Sequence, residues 1–491
     1  MVTQPRRSRQ TTTADAVVIG AGFGGLGAAL TLAEAGAQVV LCETLGYPGG
    51  CASTFRRERV AFEAGATLFS GFGEGQLIRR WIDRHGIDVR WRTHDPVLAL
   101  HVAGERSTIP ASRRAWADSL MAADPANRDG IARYFRVQGR VADALWGVMD
   151  APELLPPLGL RAIAGHLRRL PDHMAWMPWI GRSLRDVAEW CGAGDSRALC
   201  TWLDAVAQIT VQTDAASAEA PFGLAAADFL FRGVASVHGG IGELARGLVG
   251  AVEGAGGVVR LTDRVRGLKR EGSEWVVQAR RGEVRAPVVL CNTLPQTVGA
   301  WLGRPVRPAL GAQLEQGWGA SALYLVLDDG PELAPGPEHH QIVVDPDRPL
   351  VEGNAALVSL GERQVVDGRT VRGVTVSTHV RMDSGGPMSA ERAAAVDRRL
   401  RALVASTFPA WRVRRVHPAS PRTFARFTGR PGGLVGGVPR AVGLRQYTDA
   451  FAGPVGPGLY LVGDSMFPGQ STLAAALGGQ RTATRAMASS E

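Results

Sequence analysis

The stretch "AVVIGAGFGGLGAALTLAEAGAQVVLCE", residues 16–43, decides how the rest of the chain is read. Ala16 to Ile19 form a short continuous apolar run, as in a parallel strand buried on both faces. Gly20-Ala21-Gly22-Phe23-Gly24-Gly25 follows at once, with G-x-G-x-x-G spacing. A helical pattern then runs to about Glu34, with Leu26, Ala29, Leu30 and Ala33 on one face, and Gly36 closes it. A second apolar strand ends at Glu43. Each part has a physical use. Gly20 permits the tight turn, Gly22 lets a pyrophosphate approach the backbone, and Gly25 lets helix and strand pack closely. The helix N-terminus offers unpaired N–H groups and a partial positive charge to phosphate. Glu43 stands where an acid accepts ribose hydroxyls, and its charge would repel a 2′-phosphate. The unit predicts dinucleotide binding.

The chain has 491 residues, 45% of them hydrophobic and 21% charged, which predicts a globular protein of two intertwined domains. The net charge of +9 is almost wholly arginine; Lys269 is the one lysine. A basic balance admits an anionic membrane surface as partner, and no motif points to nucleic acid. Five cysteines (Cys42, Cys51, Cys191, Cys200, Cys291) form no C-x-x-C pair, so neither a disulfide framework nor a metal site is expected. Residues 1–15 read as polar, basic and disordered, and a cytoplasmic location fits the free thiols. The glycine spacing excludes residues 16–33 as a signal or membrane span, and no other apolar run is long enough to cross a bilayer.

After Glu43 the sequence continues "YPGGCAST" (47–54) and "FRRERVAFEAGATLFSGF" (55–72). Here it resembles the flavin amine oxidase and phytoene desaturase superfamily. The resemblance implies FAD as cofactor, with Gly49 and Gly50 along its pyrophosphate and ribityl chain and "FEAGA" beside the flavin. Glu63 is then either a flavin-site group or a loop acid that binds backbone. Residues 239–265 read as a glycine turn, an amphipathic helix and a strand. The resemblance makes Val265 a backbone contact of the adenine. Near the C-terminus, "GLYLVGDSMFPGQSTLAAALGG" (458–479) runs from a strand into Gly463-Asp464 and then an almost uncharged helix. In two-segment FAD proteins such an aspartate bonds a ribityl hydroxyl, and the helix N-terminus faces the flavin. The alternative is that Asp464 only caps the helix. Phe23, Gly24, Gln470, Ser471, Thr472 and Leu473 join the expected cofactor contacts.

Two stretches narrow the branch. "SPRTFARFTGRPGGLVGGVPR" (420–440) is similar to the T-P-x-T-x-x-R-F segment of carotenoid isomerases. "VGDSMFPGQ" looks like their V-G-D-S-x-F-P-G-Q signature. After Gln470 this chain reads "STLAAALGG" where the family more usually has G-V-x-A-V-x-x-S-G. The implied fold is α/β: a discontinuous Rossmann-type FAD-binding domain (14–95, 232–300 and 440–491) and an α+β substrate domain (96–231 and 301–439). The implied activity is FAD-dependent desaturation or cis–trans isomerisation of a long apolar polyene, a carotenoid. Phe467, Trp179 and Trp202 are expected in its pocket. His238 is either a proton-transfer group near the flavin or structural.

Residues 95–230 read as helical and rich in tryptophan. Within them, 154–181 mixes Leu, Ile, Met and Trp with Arg161, Arg168 and Arg169. That suits a helix lying in a membrane interface, or else an ordinary amphipathic core helix or one lining an apolar pocket. Two rival readings remain: an amine oxidase on the same fold, for which Lys269 is misplaced, and a carrier of the prenyl-binding GDP-dissociation-inhibitor type that uses no FAD.

Overall fold

The strand Ala16–Ile19 is wholly buried, as its apolar run requires, and lies at the centre of a five-stranded parallel sheet. The computed structural model describes residues 10–156, 158–330, 336–382, 388–448 and 453–488. The sheet order is Val258–Arg260, Val39–Cys42, Ala16–Ile19, Val288–Cys291, Leu459–Leu461. Its strands come from three distant stretches of chain. A second sheet flanks it, built from the antiparallel run Val265–Glu271, Glu274–Ala279 and Gly282–Ala286. Gln10–Thr13 adds to that sheet as a parallel edge. Disorder was expected up to Asp15. Residues 1–9 lie outside the described residues, but the threonine run 11–13 suits a pleated surface and pairs with Glu283 to Arg285.

The last helix, Thr472–Ala488, packs along the first, Phe23–Glu34, and its residues 472–479 are all buried. That explains its small, uncharged composition. A Cβ on Gly27 would stand 2.6 Å from the Ala476 carbonyl oxygen, and one on Gly479 only 2.0 Å from that of Gly24. The two backbones therefore touch where a methyl group would hold them apart.

A third, larger sheet runs through Trp318–Asp328, His339–Val343, Ala355–Val366, Arg369–Arg381 and Val413–Ala419. It is extended by Leu98–Val102 and Glu105–Ile109, a hairpin inside the stretch expected to be helical. Ala103 and Gly104 both adopt positive φ, +50° and +90°, and make the turn whose twist suits a hairpin. Helices follow from Arg113 onward, chiefly Arg128–Met149, Arg197–Thr210 and Ala220–Ala227. One face of the large sheet buries Val396, Leu400 and Leu403 of the helix Ala390–Thr407. The other buries Val60 and Phe62 of the hairpin Thr54–Arg57/Val60–Glu63. Tyr324 donates its hydroxyl to the Ala64 carbonyl (2.5 Å), and Thr375 to that of Glu63 (2.9 Å). The segment after the glycine loop is thus bound to the large sheet.

Gly479→Ala inserts a methyl group into the helix–helix contact. It is expected to destabilise the protein by about 1–3 kcal/mol and to weaken retention of the dinucleotide. Denaturant midpoints and equilibrium dialysis of FAD check this.

Candidate functional site

The glycine loop, the Pro48-Gly49-Gly50 turn and the start of the last helix open onto one cavity of about 1140 Å³. That exceeds the roughly 300–1,000 Å³ of most small-molecule sites. Of the expected cofactor contacts, Gly20, Gly22, Phe23, Gly24, Glu43, Gly49, Gly50, Val265, Asp464, Gln470, Ser471, Thr472 and Leu473 all line it. Gly25 and Gly463 do not. A Cβ on Gly25 would fall 1.9 Å from the Gly20 carbonyl oxygen, so Gly25 serves the helix–strand contact.

The loop fits phosphate. The helix Phe23–Glu34 starts at Gly22 with no side-chain cap and no acid in its first turn, so its free amides are left for a ligand. Gly20 sits at φ +96°. Glu43 is buried and accepts from the backbone N–H groups of Ala21 and Leu45, both at 2.7 Å. Burial raises its pKa, while those bonds lower it. A carboxylate offers about four acceptor directions, so two remain for ribose hydroxyls. Asn292, at the end of the adjacent strand, was missed from sequence. Its side chain would touch a Cβ placed on Gly22 (2.6 Å) or on Gly463 (2.4 Å), so it holds loop and C-terminal turn together.

Close to the glycine loop, where Gly463 meets Gly24, Asp464 is half-buried in an ion pair. Both its oxygens accept from Arg430 Nη2, at 2.7 and 2.6 Å, and Arg430 Nη1 donates to the Gly436 carbonyl (2.9 Å). Burial opposes the guanidinium charge, but Asp464 more than offsets this and raises the Arg430 pKa. Arg430 also lines the cavity and was not singled out in the sequence. Asp464 is no helix cap: Ser471 fills that place, its Oγ accepting from the Ala474 N–H (3.0 Å). Ser471 takes φ +117°, a conformation that favours glycine, at the position where the family carries glycine. Gln470 donates to the carbonyls of Ile209 (2.9 Å) and Thr210 (2.6 Å), and so ties this helix to the helical layer.

Much of the remaining wall is apolar, with Leu145, Trp146, Met149, Phe222, Phe229, Phe424 and Phe467 among the lining side chains. Trp179 and Trp202 are not brought there. Trp202 is 1% exposed and packs against Trp116 and Phe135 inside the helical core; Trp179 meets Trp190 edge-on at 5.2 Å. A tryptophan-rich, helix-like stretch does not show which of its side chains turn to the core and which to a cavity. His238 also lies outside the lining: its Nδ1 pairs with Glu362 at 2.6 Å, and its side chain is 46% exposed. Glu63 faces away as well. It accepts from the Ile241 N–H (2.9 Å) and the Thr54 hydroxyl (3.0 Å), securing the hairpin to the helix Ile241–Gly254. The histidines in the wall are instead His379 and His417; His379 is half-buried, faces Gln212 Nε2 at 3.4 Å, and has its pKa pushed down to about 4 by desolvation. The His379 stretch, "GVTVSTHV", reads from sequence only as one of several short strands. Among the described residues no cluster of His, Cys, Asp and Glu has the arrangement of a metal site.

Residues 18–85 match the model of the NAD(P)-binding Rossmann-like domain family. Over 96% of this chain and 84% of the relative, the sequence is 24% identical to prolycopene isomerase 1, chloroplastic, of an Oncidium hybrid cultivar. It is 27% identical to the all-trans-retinol 13,14-reductase of Danio rerio over 58% of this chain and 48% of that protein. In three dimensions it superposes on a putrescine oxidase variant with a TM-score of 0.64 at 18% identity, covering 98% of this chain and all of the other. The fold is that of the flavin amine oxidase and phytoene desaturase-like oxidoreductases, and the cofactor is FAD.

Burial raises the Glu63 pKa from 4.5 to about 7, against the hydrogen bonds of Ile241 and Thr54. The folded state then binds more protons than the unfolded one between these values, so this group's contribution to stability falls as pH rises through that window. Glu63→Gln keeps an acceptor for Ile241 and has no charge to bury. Its denaturation midpoint should match the wild type near pH 4.5 and exceed it at pH 8, by about 1–2 kcal/mol.

Proposed function

Taking the chain as an FAD-dependent oxidoreductase that fits the carotenoid isomerase and phytoene desaturase-like family, we propose that it acts on a long apolar polyene of the carotenoid class, by desaturation or cis–trans isomerisation. The observation that carries this is one cavity lined both by the nucleotide cradle and by aromatic and aliphatic side chains. The relatives named for prolycopene and retinol support the same substrate class.

Bound FAD supplies hydride acceptance and return. The protein's own contribution is placement. Gly22, Gly24 and Glu43 hold the nucleotide, and Gly49 and Gly50 border the chain that joins it to the ring. The Arg430–Asp464 pair sets a fixed hydroxyl-binding edge, because the guanidinium keeps the carboxylate in one orientation. The helix N-terminus at Ser471-Thr472 directs its dipole at the cavity, favouring negative charge there. The apolar walls exclude water from a substrate that brings no polar group. An amine oxidase reading fits less well. Among the described residues the lining carboxylates are Glu43, held by backbone amides, and Asp464, held by Arg430, and no lysine lines the cavity. Lys269 pairs with Glu271 on the flanking sheet, at 50% exposure. A carrier that dispenses with FAD leaves the intact cradle without purpose.

Access for such a substrate is through the membrane face. The helix Leu160–Arg168 turns Leu160, Ile163 and Leu167 outward on one face, with Leu160 87% exposed, and Leu170, Met174 and Met177 continue the patch. Exposed Arg161 and Arg168 border it, a charge pattern complementary to anionic lipid. Leu155, just before this patch, already lines the cavity.

Anaerobic incubation with a panel of cis and trans carotenoids tests the activity. Bleaching of oxidised flavin with lengthening of the chromophore identifies a desaturase; geometric change alone on pre-reduced enzyme identifies an isomerase. Turnover of amines with no change in any polyene would overturn the reading. For the surface, sedimentation with phosphatidylglycerol vesicles at low salt should weaken as salt rises and fall at least tenfold in Leu160→Glu/Leu167→Glu, with flavin content unchanged.

A further inference from the structure

A line of hydrogen-bonded side chains leaves the cavity wall at Thr67 and ends at a partly exposed serine. Thr67 lines the cavity, just after the segment expected beside the flavin. Its Oγ1 accepts from Ser359 Oγ at 2.8 Å. Ser359 Oγ lies 2.9 Å from His339 Nδ1, and His339 Nε2 lies 3.4 Å from His94 Nε2. His94 Nε2 is 2.7 Å from Ser236 Oγ. The four inner members, Thr67, Ser359, His339 and His94, are buried, whereas Ser236 is only partly so. The line crosses three separate elements: the loop after the hairpin, the large sheet, and the small pairing of Trp91–Thr93 with Ala235–Val237. No secondary-structure requirement puts two histidines and two hydroxyls in sequence through a core, where each buried polar group costs stability unless it is partnered.

We infer that Thr67, Ser359, His339, His94 and Ser236 form a proton relay between the flavin cavity and the protein surface. Redox chemistry in an apolar cavity takes up or releases protons that the polyene slot cannot carry. Along the line each hydroxyl can both donate and accept, and each neutral ring has one donor nitrogen and one acceptor nitrogen whose roles exchange with the tautomer. With the Thr67 hydroxyl turned to Ser359 and the Ser359 hydroxyl turned to His339, a proton entering at Thr67 displaces one from Ser359 to His339 Nδ1. His339 Nε2–H passes its proton to His94 Nε2, and the same nitrogen passes it on to Ser236. One proton enters, one leaves, and hydroxyl and ring reorientation resets the chain; no oxidant is consumed.

The electrostatics agree. Burial holds the His94 ring below the ordinary imidazole value, with Glu338 opposing and Arg92 adding to the effect. His339 is held well below it by burial, then by His94, His340 and Arg92. Glu338 is itself paired with Arg92 and Arg372. Both rings are therefore neutral near pH 7, each with one N–H and one lone pair.

The inference rests on FAD in the cavity but on no particular substrate, so inactivity toward every polyene leaves it standing. FAD-loaded protein, reduced and then mixed anaerobically with ferricyanide, gives two electrons to an acceptor that takes no proton. The released proton is followed with a pH-indicator dye in weak buffer, beside flavin absorbance. In the wild type the two signals should coincide. In Thr67→Val and Ser359→Ala proton release should slow at least tenfold, with FAD affinity and thermal midpoint retained. His94→Ala should slow likewise and recover in millimolar imidazole. In flavin-free protein, nitrogen NMR should show the His339 and His94 signals shifting together in Ser359→Ala. Unchanged proton release in both hydroxyl variants would overturn the relay. So would a His94→Ala defect that imidazole leaves untouched, or an NMR shift confined to His339.

Discussion

Backbone meets backbone where the two ends of the chain close on each other. A Cβ on Gly24 would lie 2.7 Å from the Gly463 Cα, and one on Gly479 would lie 2.0 Å from the Gly24 carbonyl oxygen. Everything in the site depends on this approach. It sets Leu459–Leu461 beside Val288–Cys291 and completes the parallel sheet. It also brings the N-termini of two helices, some 450 residues apart in sequence, to one cavity. Because the contact is made by main chain, it tolerates no side chain, and glycine and alanine are the residues that remain.

Charge in the cavity is handled by pairing. Glu43 is held by loop amides and Asp464 by Arg430, so the two lining carboxylates are fixed before any ligand arrives. His379 is kept neutral by burial. What is left between them is an apolar slot in which the redox chemistry of the flavin meets little competing acid–base chemistry. Proton traffic is then displaced from the slot to its wall, where Thr67 joins the buried histidines.

Much of the nucleotide end was legible in the sequence. Gly20, Gly22 and Glu43 form a local unit whose geometry follows from strand, turn and helix within one stretch of 28 residues, 16–43. Asp464 was legible by its strand-and-glycine setting. The substrate end was not. Trp202 and Trp179 carry the hydrophobic signal of a pocket residue and that of a core residue equally, and packing sends both to the core. Glu63 and His238 have the right chemistry for catalysis, but one is spent on helix Ile241–Gly254 and the other on Glu362. Arg430, Asn292 and His379 act only through partners far away in the chain, so no window of sequence displays them.

By itself the sequence determined that a dinucleotide cradle forms, because periodicity, glycine spacing and a terminal acid act over a single turn or two. It determined too that the last helix must pack closely, through its small residues. Only the tertiary structure decided which side chains face the cavity, which acids are already paired, and that Thr67, Ser359, His339 and His94 stand in line. Those are contacts between residues remote in sequence, and their free energy exists only once the sheets and helices have closed on one another.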